Sequence, residues 1–101
     1  MADVIYTLGV WRVKPGKEAE FIEAWKWLGG IFSRLPMPPG GTGTLVQSIT
    51  DPLLFYSFGG WQSMEAIQAM RQDASAQAGI KKVAELCTEA TPGSFRVVAE
   101  V

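Results

Sequence analysis

The chain has 101 residues, of which 48% are hydrophobic and 11% aromatic, with nine Lys/Arg, ten Asp/Glu and a formal net charge of -1. That is enough chain and enough apolar mass for one domain with a core, expected over residues 1–101, and too apolar for a disordered segment. Acids and bases are intermixed, with no basic stripe to neutralise phosphates, so nucleic acid is excluded as a partner.

No apolar run approaches the ~20 residues that span a bilayer, so no membrane association is expected. Met1-Ala2-Asp3-Val4 lacks the basic start and long apolar stretch of a secretory signal. The single cysteine, Cys87, has no partner within the chain, which fits an expected cytoplasmic location. Histidine is absent, so Cys87 lacks the usual activating base and reads as a small buried hydrophobe.

In chain order, Val4 to Val13 is rich in β-branched and aromatic residues and predicts a strand, ended by the turn signal Lys14-Pro15-Gly16. Lys17 to about Leu35 predicts a helix. Its residues Phe21, Trp25, Leu28, Phe32 and Leu35 recur at helical spacing on one face. Glu18, Glu20 and Glu23 suit the positive end of its dipole, and Gly29-Gly30 predict a kink or a break. Pro36-Met37-Pro38-Pro39-Gly40-Gly41 predicts a loop. Thr42 to Thr50 and Leu53 to Gly60 predict a hairpin around Asp51-Pro52. Ser63 is placed to cap a helix carrying Ile67, Met70 and Ala74. A second helical stretch is expected after Gly79, through Ile80, Val83, Ala84 and Cys87, with Thr91-Pro92-Gly93 as its stop. Phe95 to Val101 predicts a last short strand.

The expected fold class is therefore α+β, a ferredoxin-like βαββαβ arrangement with a four-stranded antiparallel sheet and two helices on one face. The uncovered face of such a sheet is polar in a monomer. Here the strands are apolar on both parities. Val4, Tyr6, Leu8 and Val10 oppose Ile5, Trp11 and Val13, and Leu54, Tyr56 and Phe58 oppose Leu53, Phe55 and Trp61. Burying half a dozen such side chains is worth on the order of 10 kcal/mol, against an association cost of roughly 4–15 kcal/mol. A homodimer through the sheet face is the expected cover.

Two blocks carry a family resemblance. One is Trp11-Arg12-Val13-Lys14-Pro15-Gly16-Lys17 leading into Ala19-Glu20-Phe21. The other runs from Leu54-Phe55-Tyr56-Ser57-Phe58 through Gly59-Gly60-Trp61-Gln62-Ser63 to Met64-Glu65-Ala66-Ile67, where a strand delivers a tryptophan into a helix start. In these blocks and in element order, the chain resembles the antibiotic biosynthesis monooxygenase-like family of dimeric α+β barrel proteins. The resemblance implies two sheets closing a barrel across a dimer, with a pocket in each subunit between its sheet and its helices. Known activities in the family include cofactor-free oxidation of aromatic polyketide-like phenols, haem degradation and quinol oxygenation. The haem-degrading branch uses an asparagine, a tryptophan and an iron-ligating histidine. Trp61 matches the tryptophan, but the histidine would fall near Arg71, and the chain has neither histidine nor asparagine. Arginine cannot donate a lone pair to iron, which excludes that mechanism. In the cofactor-free branch the asparagine falls near Ser57.

The resemblance thus implies a cofactor-independent monooxygenase-like oxidation of a small aromatic or quinol in a hydrophobic pocket, with no cofactor. The alternative is a non-catalytic homodimeric protein that binds a hydrophobic small molecule. Candidate catalytic residues are Tyr56, a general acid or phenolate donor; Trp61, an indole donor or stacking wall; and Arg71, a cation for a developing anion. Candidate substrate-binding residues are Tyr6, Trp25, Phe58 and Met70. Each has a plainer alternative as core packing or, for Arg71, as a snorkelling surface cation. Arg12, on a strand, needs an acidic partner, for which Glu100 is a candidate. No metal-ligand cluster is apparent, and Gly40-Gly41-Thr42-Gly43 lacks the lysine and helix of a phosphate cradle, which leaves it as a loop or lid.

Overall fold

A computed structural model describes residues 5–101; Val4, at the start of the first expected strand, lies outside the described residues. The elements are β1 (Ile5–Val13), α1 (Glu18–Ser33), β2 (Thr44–Gln47), β3 (Leu54–Trp61), α2 (Met64–Gln72), α3 (Ala74–Ala84) and β4 (Cys87–Arg96). The four strands form one antiparallel sheet in the order β2-β3-β1-β4. This is the ferredoxin-like order, with the second helical segment divided in two. The described chain measures 43 × 36 × 18 Å, and the short dimension is that of one sheet and one helix layer.

The division falls at Asp73 rather than at Gly79. Asp73 leaves helical geometry, caps α2 with its N–H, and accepts from the N–H of Ala76 with its side chain at 2.9 Å. A short acid that satisfies an orphan donor makes a stronger boundary than a glycine. Gly79 instead sits inside α3, where it lets α1 approach. A Cβ there would stand 2.9 Å from Leu28 Cδ1 and 3.0 Å from Ile31 Cδ1. Likewise α1 runs through Gly29-Gly30 without interruption, because its apolar face holds it to the sheet and α3. Ser63 caps α2 as expected, accepting from Ala66 N–H at 3.1 Å.

The largest departure from the sequence reading is β4. It begins at Cys87 and ends at Arg96, so Thr91-Pro92-Gly93 lies within the strand, and residues 97–101 lie beyond it. Proline costs no ladder bond where its nitrogen faces away from the neighbouring strand, and β4 is an edge. The helix end is set instead by Glu85, whose N–H bonds Lys81 O at 3.0 Å. Strand β2 is also shorter than expected.

The register decides which parity meets the helices. Trp11 pairs with Phe55, Gly9 with Ser57, Thr7 with Gly59 and Ile5 with Trp61. These face α1 to α3. Phe21 is fully buried between Trp11 and Phe55, with ring centroids 5.6 and 4.9 Å away. Val13, Leu28, Val83 and Cys87 complete this cluster, and Trp61, Ala66, Ile67, Met70 and Ala76 form a second one. The other parity carries Tyr6, Leu8, Val10, Tyr56, Phe58 and Phe95, of which Tyr56, Phe58 and Phe95 are 44, 38 and 55% exposed. Arg12 shares that face, but its partners are Asp51 at 2.9 Å and Glu89 at 4.0 Å, not Glu100. Register puts Glu89 directly opposite Arg12, a pairing that a strand placed at residues 95–101 could not anticipate. Among the described residues no helix is long and apolar enough to cross a membrane.

Candidate functional site

A cavity of about 540 Å³ lies between the sheet and the helices. Its floor is the helix-facing parity of β1 and β3, from Thr7, Gly9 and Trp11 to Ser57, Gly59 and Trp61. Trp25, Leu28 and Phe32 of α1 form one wall, with Met70, Arg71, Gln77 and Ile80 on the other side. The loop after α1 contributes Pro38, Pro39, Gly41 and Gly43. Gly40 N–H bonds Gly60 O at 2.9 Å, tying this loop to the end of β3. Gly41 holds φ at +134°, which favours glycine. An apolar enclosure with a few directed polar groups is the form that small-molecule sites take.

Three hydrogen-bonded pairs stand on or beside the sheet side of this wall. Trp61 Nε1 donates to Thr7 Oγ1 at 2.9 Å. Trp11 Nε1 donates to Ser57 Oγ at 2.9 Å, in a buried bond. The Arg71 guanidinium donates to Ser94 Oγ. Ser94 is the register partner of Thr7, so the first and third pairs adjoin. The sheet makes room for the second pair through Gly9. A Cβ there would lie 2.7 Å from Trp11 Nε1 and 2.8 Å from Ser57 Oγ. Phe32 meets the Trp61 ring edge-on at 5.7 Å and fixes its plane.

Of the residues singled out from sequence, Trp61, Arg71, Trp25 and Met70 line this cavity. Tyr6 and Tyr56 do not: their parity sends both to the open face of the sheet, which corrects their expected place in the pocket. Phe58 borders the cavity from the strand, but it alternates with Ser57 and its side chain belongs to the open face. Ser57, noted only as standing where the resemblance places an asparagine, is 9% exposed and holds Trp11. Thr7 and Trp11 were not singled out. Their signal was their shared parity with Val13 and the glycine between them, a break in an otherwise bulky strand.

Cys87 lies apart from the cavity, in the β1–α1–α3 core. Burial pushes its thiol pKa up, against a weaker pull downward from Lys14. It donates weakly to Val83 O at 3.8 Å. The described residues contain no cluster of three or more His, Cys, Asp or Glu able to hold a metal.

The sheet and its helices have the fold of antibiotic biosynthesis monooxygenase-like α+β barrel proteins, whose solved structures align along essentially the whole chain. SnoaB of Streptomyces nogalater, a cofactor-independent oxygenase solved as an asparagine-to-alanine variant, is similar at a TM-score of 0.86 with 18% identity, over 99% of this chain and 98% of that one. A Bordetella bronchiseptica protein whose name proposes an antibiotic biosynthesis monooxygenase gives 0.82 with 24% identity, over 96% and 99%. A conserved protein of Methanosarcina mazei gives 0.77 with 18% identity, over 94% and 93%. At these identities the likeness is one of fold. No family model matches the sequence, and no curated protein matches it significantly.

Proposed function

We propose that the cavity binds a small aromatic or quinol and promotes its oxidation by dioxygen without a cofactor. The observation that carries this reading is the half-open, largely apolar cavity of about 540 Å³ with Trp61, Ser57, Thr7 and Arg71 on its wall. The ring of an electron-rich phenol or anthrone is held among Trp25, Phe32 and Trp61. Its ionised form passes an electron to dioxygen. For an anthrone, the ring CH₂ becomes C=O, one dioxygen atom is inserted and the other leaves as water. The protein's part is to orient the ring, exclude water and stabilise negative charge on the substrate oxygen. SnoaB, a cofactor-independent oxygenase of the same fold, supports the chemistry.

The test is oxygen uptake by the purified protein with simple anthrones and hydroquinones. Protein-dependent consumption, reduced at least tenfold in Trp61→Ala, supports the proposal. Binding without uptake across the set overturns it in favour of a ligand-binding protein. One observation favours that second reading: with Tyr6 and Tyr56 on the opposite face, no tyrosine, carboxylate or histidine among the described residues lines the cavity to serve as a base.

A homodimer through the sheet face belongs to the same proposal. Tyr56, Phe58, Phe95 and Val46 are exposed together on or beside that face. An apolar surface of this kind is an interaction site in a small protein. A second copy of the same face would cover it symmetrically.

A further inference from the structure

We infer that Thr7 and Ser57 are ligand-binding hydroxyls, polarised by Trp61 and Trp11, and that they select the ionised, oxygen-anion form of an aromatic ligand. This rests on the reading of the cavity as an aromatic site and specifies which form of the ligand it takes.

The argument begins with the direction of two hydrogen bonds. An indole N–H can only donate. Thr7 Oγ1 and Ser57 Oγ are therefore acceptors toward Trp61 and Trp11 at 2.9 Å each. Each hydroxyl keeps its own proton, and no protein acceptor takes it among the described residues. Both residues line the cavity, so those protons are available to a ligand there. A hydroxyl that accepts one bond donates more strongly in the next, because the chain of dipoles is aligned. The indoles thus act through the hydroxyls as positioning residues and do not offer their own N–H to the ligand.

Register spaces the two donors. Thr7 faces Gly59 and Ser57 faces Gly9, so the hydroxyls occupy one diagonal of a two-by-two patch of sheet and glycines occupy the other. Diagonal neighbours lie about 7–8 Å apart, a span that a fused aromatic skeleton bridges with oxygens at separate positions.

Charge points the same way. Arg71 is the only charged group that lines the cavity; α1, α3, the loop and the strands contribute none among the described residues. Its bond to Ser94 brings it beside Thr7, the register partner of Ser94. Apart from Arg71, which reaches from α2 to the sheet, the polar side chains on the helix side are neutral. Ser33 donates to Gly30 O and Gln77 to Met70 O, so the oxygens of these two side chains remain free to accept. Donors and a cation therefore meet at the sheet, with only neutral acceptors opposite. An anionic oxygen is stabilised at the sheet and an ammonium is disfavoured. With no carboxylate, tyrosine or histidine on the wall among the described residues, the ligand's own acidity supplies the anion.

The experiment uses 4-nitrophenol, whose phenolate absorbs in the visible, and 4-nitrotoluene, which has no ionisable oxygen. Each is titrated with the full-length protein across the pH range over which the phenol ionises. The expected result is binding of both, with phenolate absorbance appearing at lower pH when 4-nitrophenol is bound. Thr7→Val and Ser57→Ala each weaken phenolate binding by about tenfold to a hundredfold, the effect of one hydrogen bond to a charged group. Thr7→Ser, which keeps the hydroxyl, restores it, and 4-nitrotoluene affinity stays within about twofold in all three. Trp61→Phe keeps a ring while removing the N–H and lowers phenolate preference several-fold.

Binding of both probes with no displacement of the ionisation curve overturns the donor-wall inference and leaves the aromatic cavity standing. Equal loss of both probes in Thr7→Val and Ser57→Ala also overturns it, because that is the signature of a packing role. Failure of both probes to bind overturns the aromatic-site reading as well, and binding of 4-nitrotoluene alone overturns the donor-wall inference.

Discussion

Gly9→Ala is a one-methyl probe of the site's construction. The backbone tolerates alanine, since the positive-φ glycines among the described residues are Gly16 and Gly41. Taken alone, the substitution stabilises by about 0.4–1 kcal/mol through the unfolded chain. The new Cβ, however, lies 2.7 Å from Trp11 Nε1 and 2.8 Å from Ser57 Oγ. The indole cannot simply swing away, because Trp11 is 8% exposed and packs on Phe21 at 5.6 Å. Either it stays and is overpacked, at roughly 1–3 kcal/mol, or it shifts and leaves a buried N–H unpaired, at roughly 1–3 kcal/mol. These are alternative routes, so the net expectation is a loss of about 1–2 kcal/mol. For a domain of this size each kcal/mol moves Tm by about 4–8 °C, which predicts a fall of roughly 4–16 °C. Thermal unfolding followed by near-UV circular dichroism reads both the stability and the indole environment. Ser57→Ala removes the same bond from its other end. The double variant should therefore fall short of the summed losses by at least about 0.5 kcal/mol. A Gly9→Ala protein as stable as the parent, or costs that simply add, would refute the claim that this glycine exists to seat the Trp11–Ser57 bond.

The same reasoning applies to the helix layer. Gly79→Ala gains about 1 kcal/mol of helix propensity but presses on Leu28 and Ile31, at roughly 1–3 kcal/mol, so urea denaturation should show no gain and a modest loss. On the open sheet face, Tyr56→Glu should convert a dimer to a monomer in multi-angle light scattering while far-UV circular dichroism is retained; a dimer that survives it places the interface elsewhere. The Arg12 guanidinium and the Leu53 N–H hold the Asp51 carboxylate below its ordinary value. A depressed carboxylate stabilises above its unfolded pKa, and that stability is lost as pH falls through the lower folded value. The Asp51→Asn protein should accordingly show a shallower loss of stability in acid than the parent, read by urea titrations at several pH values. Cys87 has its thiol pKa raised by burial. It should resist alkylation by iodoacetamide at neutral pH in native protein and react once unfolded, whereas rapid native modification would contradict its place in the core.

The layout of strands and helices was legible because each relies on a local period. The α1 face from Phe21 to Leu35 and the two-sided β1 and β3 follow directly from side-chain spacing. What misled was punctuation. Pro92-Gly93 and Gly29-Gly30 look like breaks, yet an edge strand tolerates a missing N–H and a well-packed helix tolerates glycine. Asp73, the residue that does divide the second helix, looks like any surface acid until its side chain is seen to accept from Ala76.

The site was harder to read for a related reason. Alternation shows that β1 has two apolar faces, but not which of them the helices cover. The candidates themselves divide between the two, with Tyr6, Tyr56 and Phe58 on one parity and Trp61 on the other. The helices settle on the parity of Thr7, Gly9 and Trp11 because Phe21 needs two large flat neighbours and a strand that can approach α1 closely. Trp11 and Phe55, register partners across β1 and β3, provide both. That choice sends the tyrosines to the open face and leaves the cavity with hydroxyls that must accept from indoles. The polarity of the site is thus a consequence of core packing: once Phe21 selects the Trp11 face, the Ser57 hydroxyl accepts the indole N–H and lies on the cavity wall.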